Sequence, residues 1–173
     1  MKIKFLILIC SFCLLIIKAQ NKEVFDVARS GTLQEMRELM NKNPAVVNIT
    51  DQMGFSPLIL ACYRGNVEVA TFLIDHVKDL NYESREGTAL AALSINYNKL
   101  LVEKILKKGA NPNTADSQGN TPLLWAIKRS NAELVRILLQ YNADKNVKDS
   151  IGISAFEYAI KSNNSEIINL LKN

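Results

Sequence analysis

The chain is poor in the residues that most often carry chemistry. It has one histidine, His76, and three cysteines, two of which, Cys10 and Cys13, fall in the first 13 residues. A metal site of the usual Cys/His kind cannot be assembled from Cys62 and His76 alone. With only Cys62 beyond that segment, no intramolecular disulfide can form even in an oxidising compartment. The seven glycines are never clustered, so there is no phosphate-cradling loop. No apolar run approaches the roughly 20 residues a spanning helix needs. The longest, Phe5 to Ile17, follows Lys2 and Lys4 and has the length of a signal-peptide core.

Cleavage is expected after Ala19, although Ile17 at the −3 position is bulkier than usual, so residues 1–19 read as a signal peptide and the mature chain as 20–173. The alternative is an uncleaved anchor; a lipoprotein reading is disfavoured because neither Cys10 nor Cys13 follows a small residue. Together with a Lys-, Ile- and Asn-rich style, this suggests an exported bacterial protein, periplasmic or secreted, with no membrane attachment after cleavage. Removing Lys2, Lys4 and Lys18 lowers the 21 basic side chains to 18 against 17 acidic ones. The basic excess therefore leaves with the leader, and no electrostatic case for nucleic acid remains.

What is present is a repeat. Asp51-x-x-Gly54-x-Ser56-Pro57-Leu58 returns as Asp116-x-x-Gly119-x-Thr121-Pro122-Leu123, and weakened as Asp149-x-x-Gly152-x-Ser154-Ala155-Phe156. The last two copies lie 33 residues apart and the first two 65 apart, leaving room for one degenerate copy. A period near 33 marks a stacked array. Each unit reads as a tight turn, a helix, a second helix and a loop. Ser56 is an N-cap candidate with Pro57 at the first helical position. Leu58, Ala61 and Cys62 follow at helical spacing. Gly65-Asn66 breaks the chain before Val69, Phe72, Leu73 and Ile74. The later units repeat this scheme. Leu123, Ala126 and Ile127 precede Ser130-Asn131; Phe156, Ala159 and Ile160 precede Asn163-Asn164. Around Gly87-Thr88-Ala89-Leu90 the pattern is one residue short and lacks its proline, so weaker order and a local kink are expected there. Gly109 is placed for a left-handed helix end. Val24, Val27, Ala28, Leu33, Met36, Leu39 and Met40 suggest an N-terminal helix pair without a hairpin.

These residues resemble the ankyrin repeat family over about Lys22 to Asn173, most clearly at Asp116 to Leu123 and Gly109 to Asn113. The resemblance implies an all-α ankyrin-repeat solenoid of about five helix-turn-helix units, near 22–50, 51–82, 83–115, 116–148 and 149–173, with projecting β-turn loops. The family often places His after Thr-Pro-Leu. Here Ile59, Ala91, Leu124 and Glu157 stand instead, so that polar network is expected to be missing.

Tested for chemistry, the chain gives little. Cys62 takes a small apolar helix position and reads as a core thiol. His76 reads as a solvated residue at a helix C-terminus. Glu83, Glu86, Asp75 and Asp79 read as solvated surface, as do Lys104, Lys107 and Lys108 on the convex side. Trp125 and Tyr158 read as core. No catalytic residue, cofactor or metal is expected.

Resemblance to the family further implies binding through the concave face, built from turn tips and the exposed ends of the first helices. Carried over by position, the protein-binding candidates are Met53, Phe55, Tyr63, Arg64, Ile95, Asn96, Gln118, Asn120, Lys128, Arg129, Ile151, Ile153 and Lys161. Aromatic and Arg groups dominate interface energies, which favours Phe55, Tyr63 and Arg64. Packing of Phe55 and Ile153 onto neighbouring tips is an equal alternative. The row Arg64, Lys128, Arg129 and Lys161 would make the groove basic and suit an acidic protein partner. The expected function is that of an exported, monomeric, non-catalytic binding module that inhibits or neutralises an enzyme or toxin. The alternatives are an accessory or scaffold for an envelope enzyme, such as one of oxidative-stress defence, a membrane-tethered form, or an enzyme.

Overall fold

Ten α-helices follow one another through residues 23–172, the part of the chain that the computed structural model describes. The first, α1, spans 23–30, and α2 spans Leu33–Lys42 before a 3-10 turn at Pro44–Asn48. Three helix pairs come next: α3 (Pro57–Arg64) with α4 (Val67–His76), α5 (Ala89–Ile95) with α6 (Lys99–Lys107), and α7 (Pro122–Lys128) with α8 (Ala132–Gln140). The last pair is α9 (Ala155–Ser162) and α10 (Ser165–Lys172). The leader expected at 1–19 lies outside the described residues.

From α3 onward each first helix starts on a hydroxyl cap. Ser56 Oγ accepts from the Ile59 amide at 3.2 Å, and Thr88, Thr121 and Ser154 do the same for Ala91, Leu124 and Glu157. Pro57 and Pro122 occupy the first turn, where a missing N–H is harmless. Left-handed residues end α3 and α9, at Gly65 (φ 73°) and Asn163 (φ 52°). Asn98, Asn131 and Asn164 then cap the second helices. Asn66 has a different use: its amide donates to the carbonyl of Gly31 at 2.9 Å and tethers the first hairpin unit to the pair before it.

Successive units stack first helix on first helix, α3 on α5 on α7 on α9, with α4, α6, α8 and α10 behind them. α3, α5 and α7 are each two residues shorter than the helix that follows them, and the first helices bring small residues to their contacts, including Ala61, Ala89, Ala92, Ala126 and Ala155, all buried. One apolar core runs its length, from Val24 through Met36, Leu73, Leu90, Ile105, Leu123 and Leu138 to Ile167 and Leu171.

One expectation needs correction. The short second unit is regular, not kinked. Its missing residue comes out of the hairpin tip, where Ser84 and Gly87 exchange both backbone bonds (3.1 and 3.0 Å) around Arg85-Glu86, so the helices are untouched. The units are joined instead by asparagine side chains in their loops. Asn48, Asn81 and Asn113 accept through Oδ1 from the amides of Lys78, Asn111 and Asp144, each at 2.7–2.8 Å, in the next unit's loop. Phe156 and Ile160 do not join the core: their counterparts Leu123 and Ile127 lie under α9, whereas no further unit covers α9 among the described residues.

Candidate partner-binding face

Three of the hairpin tips are each held from below by one carboxylate, and at the shorter one the Ser84 hydroxyl accepts from the Glu86 amide at 3.2 Å. Asp51 Oδ1 accepts from the amides of Met53 and Phe55, both at 2.9 Å. Asp116 does the same for Gln118 and Asn120, and Asp149 for Ile151 and Ile153. The second oxygen reaches elsewhere. Trp125 Nε1 donates to Asp116 Oδ2 at 3.1 Å, the Tyr158 hydroxyl donates to Asp149 Oδ2 at 2.5 Å, and Arg29 pairs with Asp51 Oδ2 at 3.3 Å. The Tyr158 hydrogen bond, foremost, holds the Asp149 carboxyl below its usual range, and the same bond raises the Tyr158 hydroxyl. Because backbone amides and the Asp make the turn, the Met53 and Ile151 side chains are not needed to close it. Met53 is 74% exposed and Ile151 76%.

The tips also lean on one another. The Ser117 amide donates to the Arg85 carbonyl at 3.1 Å, and the Ser150 amide to the Gln118 carbonyl at 2.9 Å. The ends of the first helices continue this surface. Tyr63 is 51% exposed; Arg64 next to it, and Asn96 and Arg129 at the ends of the following first helices, are exposed as well. Asn96 donates its side-chain amide to the Tyr63 carbonyl at 3.2 Å, so it fixes the neighbouring unit as well as facing solvent. Ile95 and Ile153 are half-buried, and Gln118 is exposed.

Three of the expected contact residues do other work. Asn120 is 1% exposed; its side chain is spent on Asp116 and on the Lys128 ammonium. Lys128 does not charge the groove freely. Its ammonium sits 4.3 Å from the centre of the Tyr158 ring and 5.6 Å from that of Trp125, with Asp149 Oδ2 at 3.7 Å. Phe55 packs against the core from a half-buried position. Trp125 and Tyr158, read from the sequence as core, are half-buried and frame this lysine. The signal for them was a spacing: an aromatic nine residues after the hinge Asp, at Asp116/Trp125 and again at Asp149/Tyr158. Lys161 remains exposed, its ammonium 5.6 Å from the Tyr158 ring centre.

On the far side, Lys104 of α6 and Lys108 just after it close on Asp75 of α4 at 2.6 and 3.0 Å, and Lys107 approaches Glu103 at 3.9 Å. The hydrogen bond from Lys104, then that from Lys108, holds the Asp75 carboxyl below its ordinary range. That cluster joins two units rather than offering an open anion site. Cys62 is fully buried, and burial pushes its thiol up to about 12, far from a thiolate nucleophile at neutral pH. His76 is bound to its own helix: Nδ1 donates to the Phe72 carbonyl at 2.7 Å, and its ring stacks on Phe72 at 4.0 Å. Among the described residues no three His, Cys, Asp or Glu side chains gather as a metal site, and no helix is long and apolar enough to cross a membrane.

Comparison with known proteins agrees with this geometry. The family described as ankyrin repeats (3 copies) matches residues 24–116 and again 89–173. Among similar curated proteins, Ankyrin repeat, SAM and basic leucine zipper domain-containing protein 1 of Notamacropus eugenii is 29% identical over 109 residues. That match covers 60% of this chain and 23% of the relative. Rabankyrin-5 of Homo sapiens is 30% identical over 119 residues, 61% of this chain and 10% of its own. Ankyrin repeat and SOCS box protein 3 of Homo sapiens is 31% identical over 100 residues, 56% of this chain and 19% of its own. The chain thus spans under a quarter of each of these proteins, and what is shared is the repeat array. With both matches together spanning its helix pairs from end to end, the chain belongs to the ankyrin repeat family.

Proposed function

We propose that this protein is a stoichiometric, non-catalytic binder of another protein, working through its hairpin tips and the exposed ends of its first helices. Ankyrin repeats are protein-interaction modules. The observation that carries the reading here is the exposure of Met53 and Ile151 at tips whose folding needs neither side chain. With Tyr63, Arg64 and Arg129 they form a mixed apolar, aromatic and cationic surface of the kind that concentrates interface energy. Among the described residues Arg64 and Arg129 have no carboxylate within 4.0 Å, so an acidic partner surface would satisfy them. We further propose export to the periplasm or outside the cell, supported by the apolar stretch behind Lys2 and Lys4, and inhibition or neutralisation of the partner as the outcome of binding.

The test is affinity capture from envelope extract and culture medium of the source cells, beside a variant carrying Met53→Ala, Tyr63→Ala, Arg64→Ala, Arg129→Ala and Ile151→Ala. A single acidic protein retained near one to one, lost with the variant and weakened by salt, is the expected result. Retention unchanged in a folded variant would remove the tips from the interface.

A further inference from the structure

The last described unit carries a face that earlier units keep covered. Phe156 occupies the position of Leu58, Leu90 and Leu123, which are at most 2% exposed, yet Phe156 is 37% exposed. Ile160 stands where Cys62, Ser94 and Ile127 are buried, and is 55% exposed. Ile168 of α10, half-buried, stands where Ala70, Val102 and Val135 are buried. The opposite end differs. There, Glu23, Asp26, Ser30, Glu35 and Glu38 are exposed, so the first described helices present polar groups to solvent. An apolar face on the last described unit and a polar one on the first argue against head-to-tail stacking of copies, since the two do not match.

The charges on α9 say what does match. Phe156, Glu157, Ile160 and Lys161 fall within one arc of the helix at 100° per residue, and all four are exposed. Glu157 and Lys161 are one turn apart, with opposite signs. A copy of the same helix laid antiparallel across a twofold axis near Tyr158–Ala159 brings Lys161 of the second copy toward Glu157, and Glu157 of the second copy toward Lys161. It also sets Phe156 against Ile160 twice. The face is thus complementary to itself in charge and in apolar surface, as an isologous dimer contact must be. The Ser154 cap leaves Glu157 charged, since the Ser154 amide donates to its carboxylate at 2.7 Å and that bond, foremost, holds the carboxyl below its usual range.

We propose that the exposed face of α9 and α10 is a self-association surface through which two copies of this chain meet tail to tail, with their α9 helices antiparallel. The dimer leaves the hairpin tips on the outside and presents two binding faces. It rests on observations separate from those that carry the partner-binding reading, and it replaces the monomer expected from the sequence.

Sedimentation velocity of the full chain, as cells produce it, tests this across a concentration series. Expected is a monomer–dimer equilibrium with a dissociation constant on the order of tens of micromolar, as suits a small contact. Ile160→Glu should weaken it at least about tenfold, two buried apolar contacts becoming two buried charges. Lys161→Glu, an exposed change that leaves the helix signal in circular dichroism intact, should also weaken it by setting like charges opposite. Adding Glu157→Lys to Lys161→Glu should restore association, because the swap rebuilds both pairs. A chain monomeric throughout, association indifferent to Ile160→Glu, or a double variant no better than Lys161→Glu would each overturn the proposal. Indifference to Ile160→Glu would assign the association to another part of the chain, the N-terminal residues included.

Discussion

Asp116 shows how much one side chain carries in this fold. It accepts from two tip amides, from the Asn120 amide group and from the Trp125 indole. Asp116→Ala would strand several partly buried donors at once, and should cost about 1–3 kcal/mol in urea unfolding. Asp75, Asp149 and Glu157 are all held below their ordinary carboxyl range, by Lys104, by the Tyr158 hydroxyl and by the Ser154 amide respectively. A depressed folded-state value means that these groups stabilise the fold above the unfolded carboxyl range, near pH 4, and lose that contribution as the pH falls through the folded values. The unfolding midpoint should therefore be flat near neutrality and fall below about pH 4.5. Asp75 and Glu157 are exposed, so their individual contributions are small, while the Asp149 side chain is only 5% exposed. Cys62 makes a separate test. Its buried thiol should resist a water-soluble thiol reagent in buffer and react fully in denaturant, and rapid labelling of the folded protein would contradict the packing described.

The hairpins carry the constraint at the level of the element. Gly119 has φ 79°, and a Cβ built there would lie 2.6 Å from the Ser150 amide nitrogen and 3.0 Å from the Asp149 carbonyl carbon. Gly152 has a similar φ of 85°, with nothing within 4 Å of the same Cβ. The two glycines thus separate backbone strain from crowding. Gly152→Ala should cost about 1–2 kcal/mol, the left-handed penalty alone. Gly119→Ala should cost clearly more, because the clash is with the backbone of the next hairpin, which cannot rotate away. Equal costs, measured by denaturant midpoints, would mean that the tips do not stack as described. The second unit makes the complementary point. A one-residue deletion is tolerated at a tip because Ser84 and Gly87 still close the turn, while the same deletion inside α5 would rotate Leu90 and Leu93 off the core.

Over the whole molecule, stability is spread along the array. Leu93 lies fully buried in the middle unit, between the neighbours that stack on either side. Leu93→Ala should cost about 2–5 kcal/mol and broaden unfolding, as a weakened central unit uncouples the two ends. A single sharp transition with unchanged midpoint would be the contrary outcome. Export is testable at the same scale: the intact mass of the protein recovered outside the cytoplasm should correspond to a chain starting at Gln20, and a mass that includes Met1 would favour the tethered form.

The 33-residue spacing, the Ser/Thr caps before proline and the Asp-x-x-Gly turns were enough to read the helix pairs and their order from the sequence, because each is a local signal repeated in register. Local signals also sufficed for Cys62, whose neighbours at helical spacing are apolar. They failed where a residue's environment is assembled from several positions, in its own unit or the next. Asn120 and Lys128 look like free polar groups in the chain, but Asp116 of the same hairpin takes up Asn120, while Asp149 and the Tyr158 ring of the next unit close over Lys128. Trp125 and Tyr158 look like core, but their polar edges are drawn outward to the hinge carboxylates. Phe156 and Ile160 follow the buried pattern faithfully and are exposed all the same, since periodicity specifies which way a side chain points and only stacking decides whether anything covers it.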